Sequence, residues 1–292
     1  MKKRQTRKPN FFIVGAQRCG TTTLYHTLKK HPDIFMSPVK EPCFFIKQKT
    51  KKEWDEYLQL FQKSNKEKII GEASTIYFHN KKSPYLIKNK TPNAKILIQL
   101  RSPVERTISA YKQNRKRGKE KLNLKDALTE ENKRIQKNFD NSFYYFHKSI
   151  YYPQVKKFFD VFGEKSVKIT VFEEFIQNPQ KILNEIASFL EIDPKKFIQE
   201  IKKYNPGNQL GINCLNNFLT RKSFFKKFFK FILSTRIKKQ IKEKIYWFPL
   251  SSKKIKVSFS EKEKKKLQKK FIPDIKKLEN LIKKDLNCWL TK

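Results

Sequence analysis

The sequence predicts an α/β fold: a central, mainly parallel sheet flanked by helices. Three observations carry this. Short apolar runs at 11–14, 68–74, 94–100 and 166–175 have the length and composition of buried parallel strands. Between them lie segments with apolar residues at helical spacing, the alternation of a parallel sheet. The first run also ends in a glycine loop that opens a helix, "FFIVGAQRCGTTTLYHTL" at 11–28.

The elements follow in order. Residues 1–9 are a basic tail, and 10–292 are expected to form one domain. The strand 11–14 leads through the glycine loop to a helix over 21–30, with Leu24 and Leu28 one turn apart. Three prolines make 31–45 a loop with short extended pieces. Trp54, Tyr57, Leu58 and Phe61 set a helix over 53–62. The strand 68–74 leaves into a loop, and the strand 94–100 precedes a helix over 103–118, with Pro103 suited to its first turn. A polar helical connection spans 123–140, and a helix over 152–162 stops at Gly163. A strand over 166–175 precedes an amphipathic helix over 178–192. A Lys-rich helix closes the chain at 261–286, with Pro273 the point at which it would break.

Composition bounds the partners. The 67 Lys and Arg against 27 Asp and Glu give a net charge of +40, which favours anionic partners. A/T-rich codons produce the same Lys- and Phe-rich bias, so charge alone decides nothing. With 26 Phe the chain has ample material for a core, which excludes disorder as the default. Cys19, Cys43, Cys214 and Cys288 show no metal-ligand spacing. No secretory apolar region and no run of about 18 apolar residues is present, so a cytoplasmic chain with reduced thiols is expected.

The glycine loop nearly spells the nucleotide motif G-x-x-x-x-G-K-[ST], with Gly15 and Gly20 correctly spaced and Thr21 where lysine belongs. Backbone amides of Cys19 and Gly20 and hydroxyls of Thr21, Thr22 and Thr23 make a cradle for a phosphate or sulfate, with Arg18 as a charge inside it. After the strand 94–100, a metal-dependent phosphotransferase needs a carboxylate; Arg101 stands there instead. Arg101 repels a metal and attracts a second anion, which Ser109 on the next helix can share. The pattern therefore calls for two anion sites and no metal.

These segments resemble a known family. "FIVGAQRCGTTTLYHTLKKHPDIFMSPVKEPCFF" is similar to the 5′-phosphosulfate loop of sulfotransferases that use 3′-phosphoadenosine 5′-phosphosulfate (PAPS). "LRSPVERTISAY" is similar to their 3′-phosphate motif, R-x-P-x-x-R-x-x-S-x-Y. "GEASTIYF" stands where the family has G-E-K-[ST]-P-x-Y, and the likeness extends to Trp289. It covers roughly 10–290 and is closest to the heparan sulfate sulfotransferase branch and its bacterial relatives. Arg18 and Ala73 replace lysines common in the family.

The resemblance implies a P-loop-like sulfotransferase fold, and in-line transfer of a sulfuryl group from PAPS to a hydroxyl or amine of an acceptor, a carbohydrate or lipid-linked glycan being favoured. It makes Glu41 in "VKEPCFF" the general base, with Phe44 and Phe45 expected to desolvate it and Lys40 opposing that. Arg18 and Thr21 would stand beside the leaving oxygen, and Arg101 and Ser109 would hold the 3′-phosphate. Glu72 and Ser74 are expected to line the acceptor cleft. His31 is expected to cap or pack at a helix end, and His79 and His147 have no assigned role.

Residues 221–256 hold 13 Lys and Arg and one acid, with Phe224, Phe225, Phe228, Phe229 and Ile232 on one helical face. Such a helix packs on the core, closes over the acceptor, or lies peripherally on an anionic membrane through 221–232. Competing classes are a nucleotide-dependent phosphotransferase, which lacks its lysine and metal carboxylate here, and a nucleic-acid-binding protein, for which no motif is present.

Overall fold

A computed structural model of the chain describes residues 7–197 and 259–290. Five parallel strands form its sheet: β1 (Phe11–Gly15), β2 (Ile34–Met36), β3 (Ile69–Ala73), β4 (Lys95–Leu100) and β5 (Val167–Val171), in the order β2-β3-β1-β4-β5. β1 is central and buried on both faces. Phe11 and Ile13 pack in one cluster with Leu24, Leu28, Ile182 and Ile186. Phe12 and Val14 point the other way, against Tyr57, Phe158 and Phe271. The period of two along a strand separates these layers. Each wholly buried Phe contributes on the order of 2–3 kcal/mol from apolar area alone.

The helices of the first cluster are α1 (Thr21–Leu28) and α9 (Pro179–Leu190). Asn178 caps α9 by accepting from Lys181 N, and Pro179 occupies its first position, where no backbone donor is needed. Around the other face lie α2 (Lys51–Leu58), α3 (Ser83–Lys90), α4 (Pro103–Lys116) and α7 (Tyr152–Phe162), with α5 (Leu124–Thr129) and α6 (Glu131–Gln136) between α4 and α7 in sequence. A capping box of Ser260 and Glu263 starts the last described helix, α10 (Glu261–Ile282).

Several elements differ from expectation. The strand expected over 166–175 ends at Val171, and α8 (Phe172–Gln177) begins at once. Glu173 in its first turn accepts from Ser102 N and Trp289 Nε1, contacts a strand ending at Phe175 would not make. α10 runs through Pro273 without a break. Pro273 is on the solvent face, where water can serve the carbonyl it frees. α3 was not foreseen, and the connection at 123–140 is two short helices. The amphipathic reading of 221–256 lies outside the described residues.

α10 is tied to the sheet end by polar bonds. Asp274 on α10 accepts from Tyr151 N and Tyr152 N at the start of α7. Trp289, in the turn after α10, reaches Glu173 beside β5.

Candidate active site

The loop between β1 and α1 is held with its carbonyls inward. Ala16 N donates to Gln99 O on β4 at 2.7 Å. The buried Gln99 side chain donates to Cys19 O, and Arg106 Nε donates to Gln17 O at 3.2 Å. Arg106 is 1% exposed and also donates to Tyr145 O and Ser149 Oγ, so a buried cation fixes the back of the loop. With these carbonyls turned in, the first amides of α1 are left outward. Gly20 caps α1 with φ 79°, and no side chain bonds the open N-terminus. Any Cβ at Gly20 would lie 2.4 Å from the Phe172 ring and 2.9 Å from Gln99 Nε2, so only glycine fits.

The glycine loop and α4 meet. Arg18 Nε donates to Ser109 Oγ at 3.1 Å, joining the glycine loop to α4. Gln113 on α4, with its amide turned to satisfy both, accepts from Arg18 and Arg117 at 3.2 Å. Burial and the charges of Arg101, Arg106 and Arg117 push the Arg18 guanidinium down to about 10. A group under that repulsion is stabilised by an anion. Arg101 stacks over the Phe172 ring at 5.1 Å and touches Glu105 at 3.3 Å; its Nε is buried with no partner.

Beside the loop opens a cleft of about 540 Å³, with Arg18, Thr21 and Thr22 on one side and Glu41 and Thr75 among its walls. Glu41 follows β2 at φ 60°, and Cys43 has φ 54°, both in the region costly for residues with a Cβ. Glu41 N donates to Ala73 O, and its carboxylate accepts from Thr75 N, Thr75 Oγ1 and Lys40 Nζ, each at 2.9 Å. The expected aromatic shield is absent: Phe45 turns into the core against Phe12, and Phe44 stacks on Tyr57. The carboxylate's surroundings are polar instead.

Glu72 and Ser74 do not line the cleft. Both are wholly buried on and just after β3, beneath the Glu41 loop, because β3 is an inner strand with both faces covered. Thr75, next in sequence, takes the place at the wall. The Cys19 thiol is likewise buried, 3.7 Å from Tyr151 Oη, and burial raises it to about 11; its amide is engaged with Ala16 O. Thr23 follows on α1, half-buried, its carbonyl accepting from Thr27 Oγ1.

Sequence reasoning missed much of the far wall. His79 and Lys148 border the cleft, and burial holds His79 well below its ordinary value and Lys148 down at about 8. Lys148 Nζ donates to Asn141 Oδ1. No spacing signals these residues; they arrive from three separate loops. Arg106 alone had a signal, as the second arginine of its motif. His31 packs on Phe197 and bonds Asp33 N and Asp193 O, a helix-end role. His147 pairs with the buried Glu131. No helix among the described residues is long and apolar enough to cross a membrane.

A family model described as "Sulfotransferase domain" matches residues 8–271. A sulfotransferase from Alicyclobacillus acidocaldarius, solved as a crystal structure, superposes with a TM-score of 0.71 at 29% identity, covering 97% of this chain and 99% of that one. The membrane-associated sulfotransferase kil1 of Dictyostelium discoideum is 34% identical over 35% of this chain. The human heparan sulfate glucosamine 3-O-sulfotransferase 3B1 is 26% identical over 71% of it. The chain spans only 22% of the former's length and 51% of the latter's.

Proposed function

The chain belongs to the sulfotransferase domain family, and from that premise we propose that it moves a sulfuryl group from PAPS to a hydroxyl or amine of a polar acceptor. The observation that supports this is the Arg18–Ser109 bond, which joins the glycine loop to α4, with Arg18 and Glu41 lining one cleft. The uncapped α1 and the Gly20 cradle fit a 5′-phosphosulfate, and the unpartnered Arg101 Nε fits a second phosphate.

PAPS supplies the activated sulfuryl group; the chain's own residues position and neutralise charge. Outward amides at the start of α1, with Thr21, Thr22 and Thr23, hold the 5′ oxygens. Arg18 opposes the charge that grows as the leaving oxygen separates. Ser109 accepts from Arg18 through a lone pair, so its own proton is free for the 3′-phosphate, which Arg101 shares. That second contact distinguishes PAPS from ATP. Glu41, oriented by Thr75 and Lys40, receives the proton of the acceptor. Among the remaining walls, Asn80, Asn141, Ser142 and Lys148 offer hydrogen bonds and Ile76 is the aliphatic contact, which suits a polyhydroxylated acceptor such as a carbohydrate better than a flat apolar alcohol.

Calorimetric titration with 3′,5′-adenosine bisphosphate, and with ATP with and without Mg²⁺, tests the donor site. Tight metal-independent binding of the bisphosphate that Arg101→Ala abolishes supports the proposal and leads to an acceptor screen. A preference for Mg²⁺–ATP would overturn it.

A further inference from the structure

Beneath the Glu41 loop lies a second carboxyl group with no assigned task. Glu72 is the next-to-last residue of β3, paired in register with Phe12 of β1, and wholly buried. A buried acid without a cationic partner is costly, so its neighbours require an explanation. Ser74 Oγ donates to Glu72 Oε2 at 3.4 Å, and the hydroxyls of Tyr77 and Tyr57 face the same carboxyl. Its other oxygen, Oε1, has no partner.

Two of these hydroxyls also serve the loop above. Ser74 Oγ accepts from Cys43 N at 3.0 Å, and Tyr77 Oη accepts from Phe45 N at 3.2 Å. A hydroxyl has one proton and two lone pairs. If its proton goes down to Glu72, a lone pair is free to face up to the amide. Without Glu72, either hydroxyl can turn its proton toward the loop and lose that bond. The loop in question holds Glu41 and Cys43 at positive φ, a conformation that persists only when its surroundings enforce it.

We propose that Glu72 is the positioning residue of the Glu41 loop, orienting the Ser74 and Tyr77 hydroxyls so that they pin the amides of Cys43 and Phe45. This rests on the reading of Glu41 as the base. Burial, and then the nearby charge of Glu41, push Glu72 up to about 8 from an ordinary 4.5, against the pull of the Tyr77, Ser74 and Tyr57 hydroxyls around it. Glu72 therefore keeps its proton at neutral pH, and a protonated carboxyl retains an acceptor oxygen for these hydroxyls. Opening of the loop uncovers the group and releases that proton. With the folded value raised, the contribution is complete below about pH 4.5 and is lost as pH rises towards 8.

Hydrogen exchange at the Cys43 and Phe45 amides tests this, corrected for intrinsic rates. In the parent chain, protection should fall by up to about tenfold per pH unit between about pH 5 and 8, then level off. In Glu72→Gln, which keeps an acceptor and cannot ionise, protection should stay flat across that range. In Glu72→Ala, protection should drop at least about tenfold at every pH, while affinity for 3′,5′-adenosine bisphosphate stays within about threefold of the parent. A Glu72→Gln profile that tracks the parent, or a Glu72→Ala loop as protected as the parent's, overturns the proposal. If Glu72→Ala does not fold, the parent and Gln profiles decide. Exchange needs neither donor nor acceptor, so a chain that fails to bind the bisphosphate sinks the sulfotransferase proposal separately. Undiminished turnover in Glu41→Gln would remove the base assignment alone.

Discussion

Arg18 and Ser109, 91 positions apart in sequence, meet through one hydrogen bond of 3.1 Å that joins the glycine loop to α4. Ser109→Ala should weaken 3′,5′-adenosine bisphosphate by about tenfold, the value of a charge-assisted bond. Arg18→Ala should weaken it more. A double-mutant cycle by calorimetry should show coupling of at least about 0.5 kcal/mol, because the serine's orientation depends on the arginine.

Gly20→Ala should be disproportionately harmful. The new Cβ meets the Phe172 ring and the Gln99 amide at a backbone φ of 79°. A cost of about 2–3 kcal/mol is expected in urea unfolding, with a matching loss of bisphosphate affinity. Adding Phe172→Ala should return part of the stability and little of the binding, since Arg101 loses the ring it stacks on.

Glu41→Gln should lower kcat by roughly 10²–10⁴-fold with an acceptor found by screening, while bisphosphate affinity changes less than about threefold. The Glu41 carboxylate bonds Thr75 and Lys40, neither of them in the glycine loop, so the two readouts separate.

Arg106→Met removes the donor that three buried oxygens share, at Gln17, Tyr145 and Ser149. The expected cost is about 3 kcal/mol in denaturant unfolding. Arg106→Lys should recover only part of it, since an ammonium cannot span the same three acceptors as a planar guanidinium.

Lys148 should be the amine that titrates early. Burial first, and then the Arg106 charge, bring it down to about 8. After reductive ¹³C-methylation, a lysine resonance with a midpoint near 8, distinct from that of the α-amine, should vanish in Lys148→Met. Because the folded value lies below the unfolded 10.5, this group adds stability as pH rises from about 8 towards 10.5 and adds none below.

Most of the scaffold was legible because strands buried on both faces leave continuous apolar runs. β1, β3 and β4 were placed within a residue or two, and their parallel pairing followed from the helices between them. α8 was misread because "FEEF" continues the apolar run of β5 without a turn signal; Phe172 and Phe175 stand at helical spacing, and Glu173 bonds Ser102 and Trp289 from the first turn of the helix. The turn between β1 and α1 was legible from its glycines, since a Cβ at Gly15 or Gly20 would meet a neighbouring side chain, and Arg101 and Ser109 stand after β4 and on α4 as expected. Glu72 and Ser74 were set in the cleft wrongly. A strand's period says which residues share a face, and not which face a departing loop covers. His79, Asn141 and Lys148 converge through tertiary structure alone, and no local pattern announces them.

Glu173 and Asp274 also bear on synthesis. A nascent chain with all five strands outside the ribosome has the phosphate loop's own sequence complete. It still lacks Asp274, which braces the start of α7, and Trp289, which shares Glu173 with the backbone of Ser102. Tyr151, next to that brace, is the residue whose hydroxyl holds Arg101 O. Under the proposed function, competence to bind the donor therefore matures late, after α10 docks, and early-released fragments would carry the glycine loop without its supports.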